Sequence, residues 1–290
     1  MRYKFIFFLK LVLLSKSVLS QTINFGNFSN KDWDIQDCMF DTTANAFILF
    51  DIGDLTIRPK NDIRNTQISC PLKIEHFEIS FTRNLRIKII DTLELQYDKL
   101  NFTLRKQGDL SDKLLYFKGI ISWQENDEVQ RIKIDNKDLG KQKDDNGNTI
   151  YTCTFPKIKM GCIIDIEYTI ISTIFNLLPE WSYTNTIPSI HSEYNVAIPD
   201  FLVYESEMQL IRPQILEKNF EKGRCSVWYL GTDGNYTIKD YEYSIYKKSY
   251  SLSNIKSSSK SDIINPLRLV LTKNNINAVY GKPTGMRMYH

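Results

Sequence analysis

The segment FEISFTRNLRIKI at 77–89 alternates apolar and polar residues with a period of two. Phe77, Ile79, Phe81, Leu85, Ile87 and Ile89 share one parity; Glu78, Ser80, Thr82, Asn84, Arg86 and Lys88 share the other. Successive strand side chains point to opposite faces, so the pattern predicts a half-buried strand, or a bent pair of strands with Arg83 at the bend. The alternation recurs in Ile164, Ile166, Tyr168 and Ile170 against Asp165, Glu167 and Thr169, and again in Ile190, Tyr194, Val196 and Ile198 against His191, Glu193, Asn195 and Ala197. Tyr236 and Ile238 lie on one parity and Tyr241, Tyr243 and Ile245 on the other, which predicts a β-bulge near Lys239–Asp240.

Further segments rich in Ile, Phe, Tyr, Val and Thr predict strands at 46–52, 114–123, 129–134, 150–155, 201–211, 226–230 and 267–272. Turns are expected at Gly53–Asp54, KQGD (106–109), DDNGN (144–148) and GTDGN (231–235). No helix of three or more turns is expected after residue 21; 91–99 and 213–221 have room for a turn or two. Many short strands with turn punctuation predict an all-β fold, an antiparallel β-sandwich-like domain with little helix.

Residues 1–20 read as a secretory signal. Arg2 and Lys4 precede the apolar run FIFFLKLVLLSKSVLS, and Val18 and Ser20 are small enough to place cleavage before Gln21. Lys10 and Lys16 interrupt that run, which argues against a transmembrane helix of ~20 apolar residues. The expected location is therefore periplasmic or secreted, with no transmembrane anchor. The chain carries +3 overall; without the four leader cations, which have no acidic counterpart in 1–20, the remainder is −1. No basic patch stands out, and nucleic acid is not expected as a partner. The β domain is expected over 21–246. The Ser-, Lys- and Asn-rich stretch that follows predicts a loop within 247–290, with a possible last strand at 266–272 and a frayed C-terminus.

Three blocks of the sequence carry a resemblance. ANAFILFDIGDLTI at 44–57 holds a Phe-Asp-x-Gly strand, and FTRNLRIKIID at 81–91 holds an Arg-x-Lys-Ile strand. The third block, 155–204, contains Pro156, Gly161, Ile166, Glu167 and Tyr168, then Trp181, Pro188, Ser192, Glu193, Tyr194 and Pro199. Together they resemble the exported, β-rich bacterial domain of unknown function found N-terminal to transglutaminase-like cores. The resemblance covers about Asp32 to Tyr246. It implies a β-sandwich-like domain accompanying a papain-like core, and no such core is expected within residues 247–290. It carries no catalytic residue onto this chain.

The chemistry-bearing residues are sparse. Cys38, Cys70, Cys153, Cys162 and Cys225 are an odd set for an exported chain. Cys153 and Cys162 flank TFPKIKMG between two strand-like segments and are the preferred disulfide pair; the alternative is that all five are buried or unpaired thiols. GRCSVW at 223–228 superficially resembles the surroundings of a transglutaminase nucleophile, but strand-like sequence follows Cys225 and the only later histidine is His290. With three histidines and no Cys-x-x-Cys, neither a metal nor a cofactor is expected. Glu167 beside Asp165 reads as a water-facing pair rather than a catalytic one. Tyr236, Tyr241 and Tyr243 form a tyrosine-rich face able to hold a glycan or extended peptide, or else simply to cover the sheet.

The functional expectation is a non-enzymatic accessory domain that engages a transglutaminase-like or peptidase-like protein in the cell envelope. The alternative is a glycan- or peptide-binding sandwich.

Overall fold

The computed structural model describes residues 24–61, 63–65, 74–93, 97–126, 128–208, 212–231, 233–258 and 266–272. The leader 1–20, Gln21, Cys70 and the tail beyond 272 lie outside them.

Among the described residues one α-helix, α1 (Asn30–Asp34), precedes fifteen strands: β1 (Ala46–Pro59), β2 (Ile63–Asn65), β3 (Phe77–Ile89), β4 (Lys99–Leu104), β5 (Lys106–Gln107), β6 (Leu110–Glu125), β7 (Glu128–Asp135), β8 (Gly140–Lys143), β9 (Thr149–Thr154), β10 (Ile163–Ser172), β11 (Ser189–Pro199), β12 (Tyr204–Glu207), β13 (Gln214–Leu230), β14 (Tyr236–Ile255) and β15 (Arg268–Leu271). The fold is all-β, as the alternation requires.

Ten strands form one large sheet in the order β2-β13-β14-β11-β1-β3-β10-β6-β5, with β7 paired to β6. Neighbours are antiparallel except β1–β11 and β13–β2, which run parallel. One face of this sheet carries the main core. The β4-β9-β8 sheet covers it at one end, where Phe102 stacks on Tyr168 with centroids 4.6 Å apart. The β12–β15 pair and the 174–188 segment cover the other end, contributing Leu178, Trp181, Tyr183, Leu267 and Leu269. The layers make a sandwich.

β3 spans 77–89 without a break, so Arg83 marks no bend. β1 likewise runs through Gly53–Asp54, where a turn was expected. The irregularity in β1 lies earlier. Ile48 pairs with Ile87 and Phe50 with Arg86, which leaves Leu49 as one extra residue. A one-residue bulge inverts the facing of everything beyond it. Ala46 and Ile48 face the core before it; Asp51, Gly53, Leu55 and Ile57 are buried after it.

Other expectations are corrected. No register shift occurs at Lys239–Asp240; the β13–β14 shift lies between Lys218 and Glu221. Tyr236 and Ile238 differ in parity from Tyr241 and Tyr243 because this hairpin bears apolar residues on both faces. β13 occupies the 213–221 stretch allotted to helical turns. β14 continues to Ile255, so position 246 is not a boundary; KKSYSLSNI is strand, paired with β11. The expected last strand is present as β15.

Cys153 and Cys162 are free thiols. The turn between them is not a hairpin. β9 pairs with β4 and β8, whereas β10 pairs with β3 and β6, so the connection crosses from one sheet to the other. Both thiols are fully buried in the main core.

Candidate functional site

Three polar assemblies are built into the large sheet. The first lies inside the sandwich. Arg83 projects from the core parity of β3, and the Leu49 bulge turns Asp51 to the same face. Arg83 Nε and Nη2 donate to Asp51 Oδ1 and Oδ2 at 2.7 and 2.6 Å, a bidentate pair. The Asp51 side chain is fully buried, and 22% of the Arg83 side chain is exposed. Burial opposes the guanidinium charge, but Asp51 and Tyr168 outweigh it and raise the Arg83 pKa. The guanidinium lies 5.3 Å from the Trp181 ring centroid, and Trp181 stacks on Tyr194 at 5.3 Å. Trp181 Nε1 donates to Ser192 Oγ at 3.1 Å. Gly53 makes room for that indole, since a Cβ there would sit 2.5 Å from Trp181 Cζ3. Asp51 and Gly53, Arg83, and Tyr168, Trp181, Ser192 and Tyr194 thus bring all three family-like blocks to one place.

The second assembly is on the opposite face. Residues 24–35 form a strap over β3, β10 and β6, with Ser29 and Asp32 closing a capping box on α1. Arg86 Nη1 donates to Asp32 Oδ2 at 3.1 Å and Nη2 to Asp165 Oδ2 at 2.8 Å. Phe28 and Phe50 flank the guanidinium, at 4.7 and 4.9 Å to their centroids. Gly26 N donates to Asp165 Oδ2 at 2.7 Å. Burial pushes the Asp165 pKa above its ordinary value, with Arg86 and the Gly26 amide opposing. Asp165, read from sequence as water-facing, is therefore covered, while Glu167 pairs with Lys118 at 3.1 Å. Arg86 and Lys88 are buried too, although their parity is the polar one.

The third assembly occupies the part of that face outside the strap. His191 Nε2 lies 3.0 Å from Glu193 Oε2, and His191 Nδ1 lies 3.2 Å from Ser253 Oγ. Ser249 Oγ donates to Glu193 Oε1 at 2.9 Å, and Asn195 Nδ2 to Asp54 Oδ1 at 3.1 Å. The His191 hydrogen bond holds Glu193 at about 2, with burial opposing and Ser249 and Asn195 assisting. The row continues through Thr82 and Thr169, whose hydroxyls are 2.7 Å apart. In the neutral tautomer with Nε2–H directed at Glu193, Nδ1 accepts from Ser253. The order hydroxyl, imidazole, carboxylate is that of a nucleophilic relay. Here it lies along β11 and β14, where β11 is hydrogen-bonded on both sides, so its ladder N–H groups are engaged. The geometry is a locked polar row across hydrogen-bonded strands.

The tyrosine face divides. Tyr241 and Tyr243 are 3% and 6% exposed; Tyr229 and Tyr241 hydroxyls are 2.6 Å apart, and Tyr243 packs edge-on to Phe77 and Phe201. Both are core residues. Tyr236 is exposed and pairs across the hairpin with Leu230, beside the exposed pair Trp228 and Ile238. Of this cluster the sequence pattern singles out Tyr236 but not Trp228 or Leu230, because strand apolar residues on the second parity look like core.

Cys225 sits mid-strand opposite Tyr241, and burial pushes its thiol to about 11. Burial likewise pushes Cys153 to about 12 and raises Cys38 and Cys162. None has the lowered pKa of a nucleophilic cysteine. Among the described residues no three His, Cys, Asp or Glu side chains converge as a metal site, and no helix is long and apolar enough to cross a membrane.

The class that fold and site define is a large mixed sheet with a sandwiched core and one strapped, polar outer face. No family model matches the chain, and no curated protein matches it. A solved structure from Parabacteroides distasonis, provisionally described as a protease, is similar in fold. It has a TM-score of 0.50 and 12% identity, over 79% of this chain and 40% of that one. At that identity the likeness shows the fold alone, and the chain spans well under half of that neighbour. A second, from Legionella pneumophila and provisionally described as a nutrient-binding protein, covers 82% of this chain and 70% of that one at 8% identity. Its TM-score of 0.32 carries no argument.

Proposed function

We propose that this chain is an exported accessory domain that docks onto a transglutaminase-like or peptidase-like protein of the cell envelope and positions it, without performing catalysis itself. The observation that carries this reading is the outer face of the sheet. Beyond the strap, His191, Glu193, Asn195, Asp54, Thr82 and Glu167 lie on one face of four adjacent strands, half-buried except for the exposed Asp54, and outside both hydrophobic clusters. Mutual hydrogen bonds pre-set the rotamers, which lowers the entropic cost of meeting a partner. A polar face spread across hydrogen-bonded strands suits a protein surface better than a small substrate, which needs concavity. The fold neighbour supports the reading to this extent: there the same fold is a minor part of a longer chain with a proposed proteolytic role.

Asn195→Arg tests it, because it places a bulky cation on the row without touching the core. The variant is expected to fold normally and to lose co-precipitation of the envelope partner recovered with the parent chain. Undiminished co-precipitation contradicts the reading, as does robust transglutaminase or hydrolase turnover by residues 21–290 that disappears in Cys225→Ser.

The alternative, a glycan- or peptide-binding surface, rests on the exposed Trp228, Tyr236 and Ile238 cluster rather than on Tyr241 and Tyr243.

A further inference from the structure

Between the strap and the end of β3 lies a hollow of about 370 Å³, lined by Trp33, Gln36, Lys88, Ile90, Gln124 and Met160 among others. Lys88 faces it although only 3% of the residue is exposed. Its ammonium donates to the carbonyls of Trp33 at 3.1 Å and Gly161 at 3.0 Å, and sits 5.5 Å from the Trp33 ring centroid. An ammonium has three donors, so one is left over. Among the described residues no carboxylate reaches ion-pair distance of it; Asp32, on the same strap, is engaged by Arg86 and the Ser29 amide. Burial accordingly pulls Lys88 below the usual lysine range, and Cys162, Asp32 and Asp34 only partly restore it. A buried cation without a counter-ion is costly, and an anion that enters the hollow relieves that cost.

The lining narrows the anion. One cation matches one negative charge, and Asp32 and Asp34 nearby disfavour a dianion such as phosphate. Gln36 and Gln124 offer neutral amide donors. Trp33, Ile90 and Met160, the last 73% exposed, supply an apolar wall. We propose that this hollow is a binding site for a small organic carboxylate, held by the Lys88 ammonium and the Gln36 and Gln124 amides, with its apolar portion against Trp33 and Met160. Free organic acids and the C-terminus of a peptide share this chemistry.

The test is a titration of the full chain, following the Trp33 indole N–H by NMR, with N-acetyl-leucine as probe and its neutral amide as control. Acetate measures the carboxylate alone, and a tripeptide with a free C-terminus distinguishes the peptide source. The acid is expected to give a saturable shift, and the amide to bind at least about tenfold more weakly, ~1.4 kcal/mol. Lys88→Met keeps the aliphatic stem over Trp33 and is expected to abolish the shift. Gln124→Ala, at the rim, is expected to weaken binding severalfold with the fold intact, and stands independently if Lys88→Met does not fold. Equal binding of acid and amide, no saturable shift, or unchanged affinity in both variants overturns the proposal.

Discussion

Asp51 and Arg83 form a bidentate ion pair inside the sandwich, and they meet because a single bulged residue, Leu49, turns Asp51 inward. Trp181 and Tyr168 lie against the guanidinium, and Tyr194 stacks on Trp181. Breaking a buried pair strands a charge, whereas replacing both partners with apolar groups need not destabilise. Asp51→Ala is expected to lower stability by about 3–5 kcal/mol in urea denaturation. The double variant Asp51→Leu/Arg83→Met is expected to recover most of that loss. A double variant no more stable than Asp51→Ala contradicts the assignment.

Gly53 carries the Trp181 indole. Gly53→Ala places a methyl 2.5 Å from Trp181 Cζ3 and 3.0 Å from Tyr194 Cδ2, and two stacked rings cannot both yield. The expected loss is about 1–3 kcal/mol, with a change in tryptophan fluorescence. A variant with parental stability shows that the indole sits elsewhere.

Glu193 makes stability acid-dependent. Its pKa is about 2 in the fold against an ordinary 4.5, so the folded state binds the proton less tightly than the unfolded chain. The stabilisation is present above 4.5 and is lost as pH falls through that window to about 2. Its size is of the order of 1–3 kcal/mol, because the group is partly solvated. Glu193→Gln is expected to flatten the stability profile over this range, read from denaturation midpoints at successive pH values. A parental slope in the variant assigns the dependence to other carboxylates.

The four described cysteines are inert in the native state. In a Cys70→Ser background, a thiol-reactive disulfide reagent is expected to label nothing over minutes, then all four thiols after denaturation. Rapid native labelling of Cys225 contradicts the burial account, and two thiols rather than four after denaturation restores a disulfide.

The alternation at 77–89 delivers β3 to the residue, and those at 164–170 and 190–198 deliver the cores of β10 and β11. Alternation reports facing, not what covers a face. Arg86, Lys88 and Asp165 have the parity of solvated residues, but a strap more than fifty residues away in sequence covers them, and only distant aromatic and acidic residues (Phe28, Trp33, Asp32) reveal it. Asp51 was hidden by the Leu49 bulge, because a bulge leaves no mark in composition. Cys153 and Cys162 are the unpaired thiols of the second reading rather than a disulfide: the strands that flank the short turn between them belong to different sheets, so closeness in sequence does not make a cross-strand pair. His191, Glu193 and Asn195 show their shared polar parity in the sequence, whereas Asp54 reads as part of a turn; the row assembles only through the parallel β1–β11 pairing, which local pattern does not encode.

The central claim is that the outer sheet face is a docking surface. A photo-crosslinking residue at position 195, expressed from the exported chain in its own host, tests it most directly, with the same residue at Val129 on the far edge as control. The account predicts a specific covalent adduct from position 195 to one envelope protein of transglutaminase-like or peptidase-like type, absent from position 129. Adducts only from position 129, or none from position 195, contradict it.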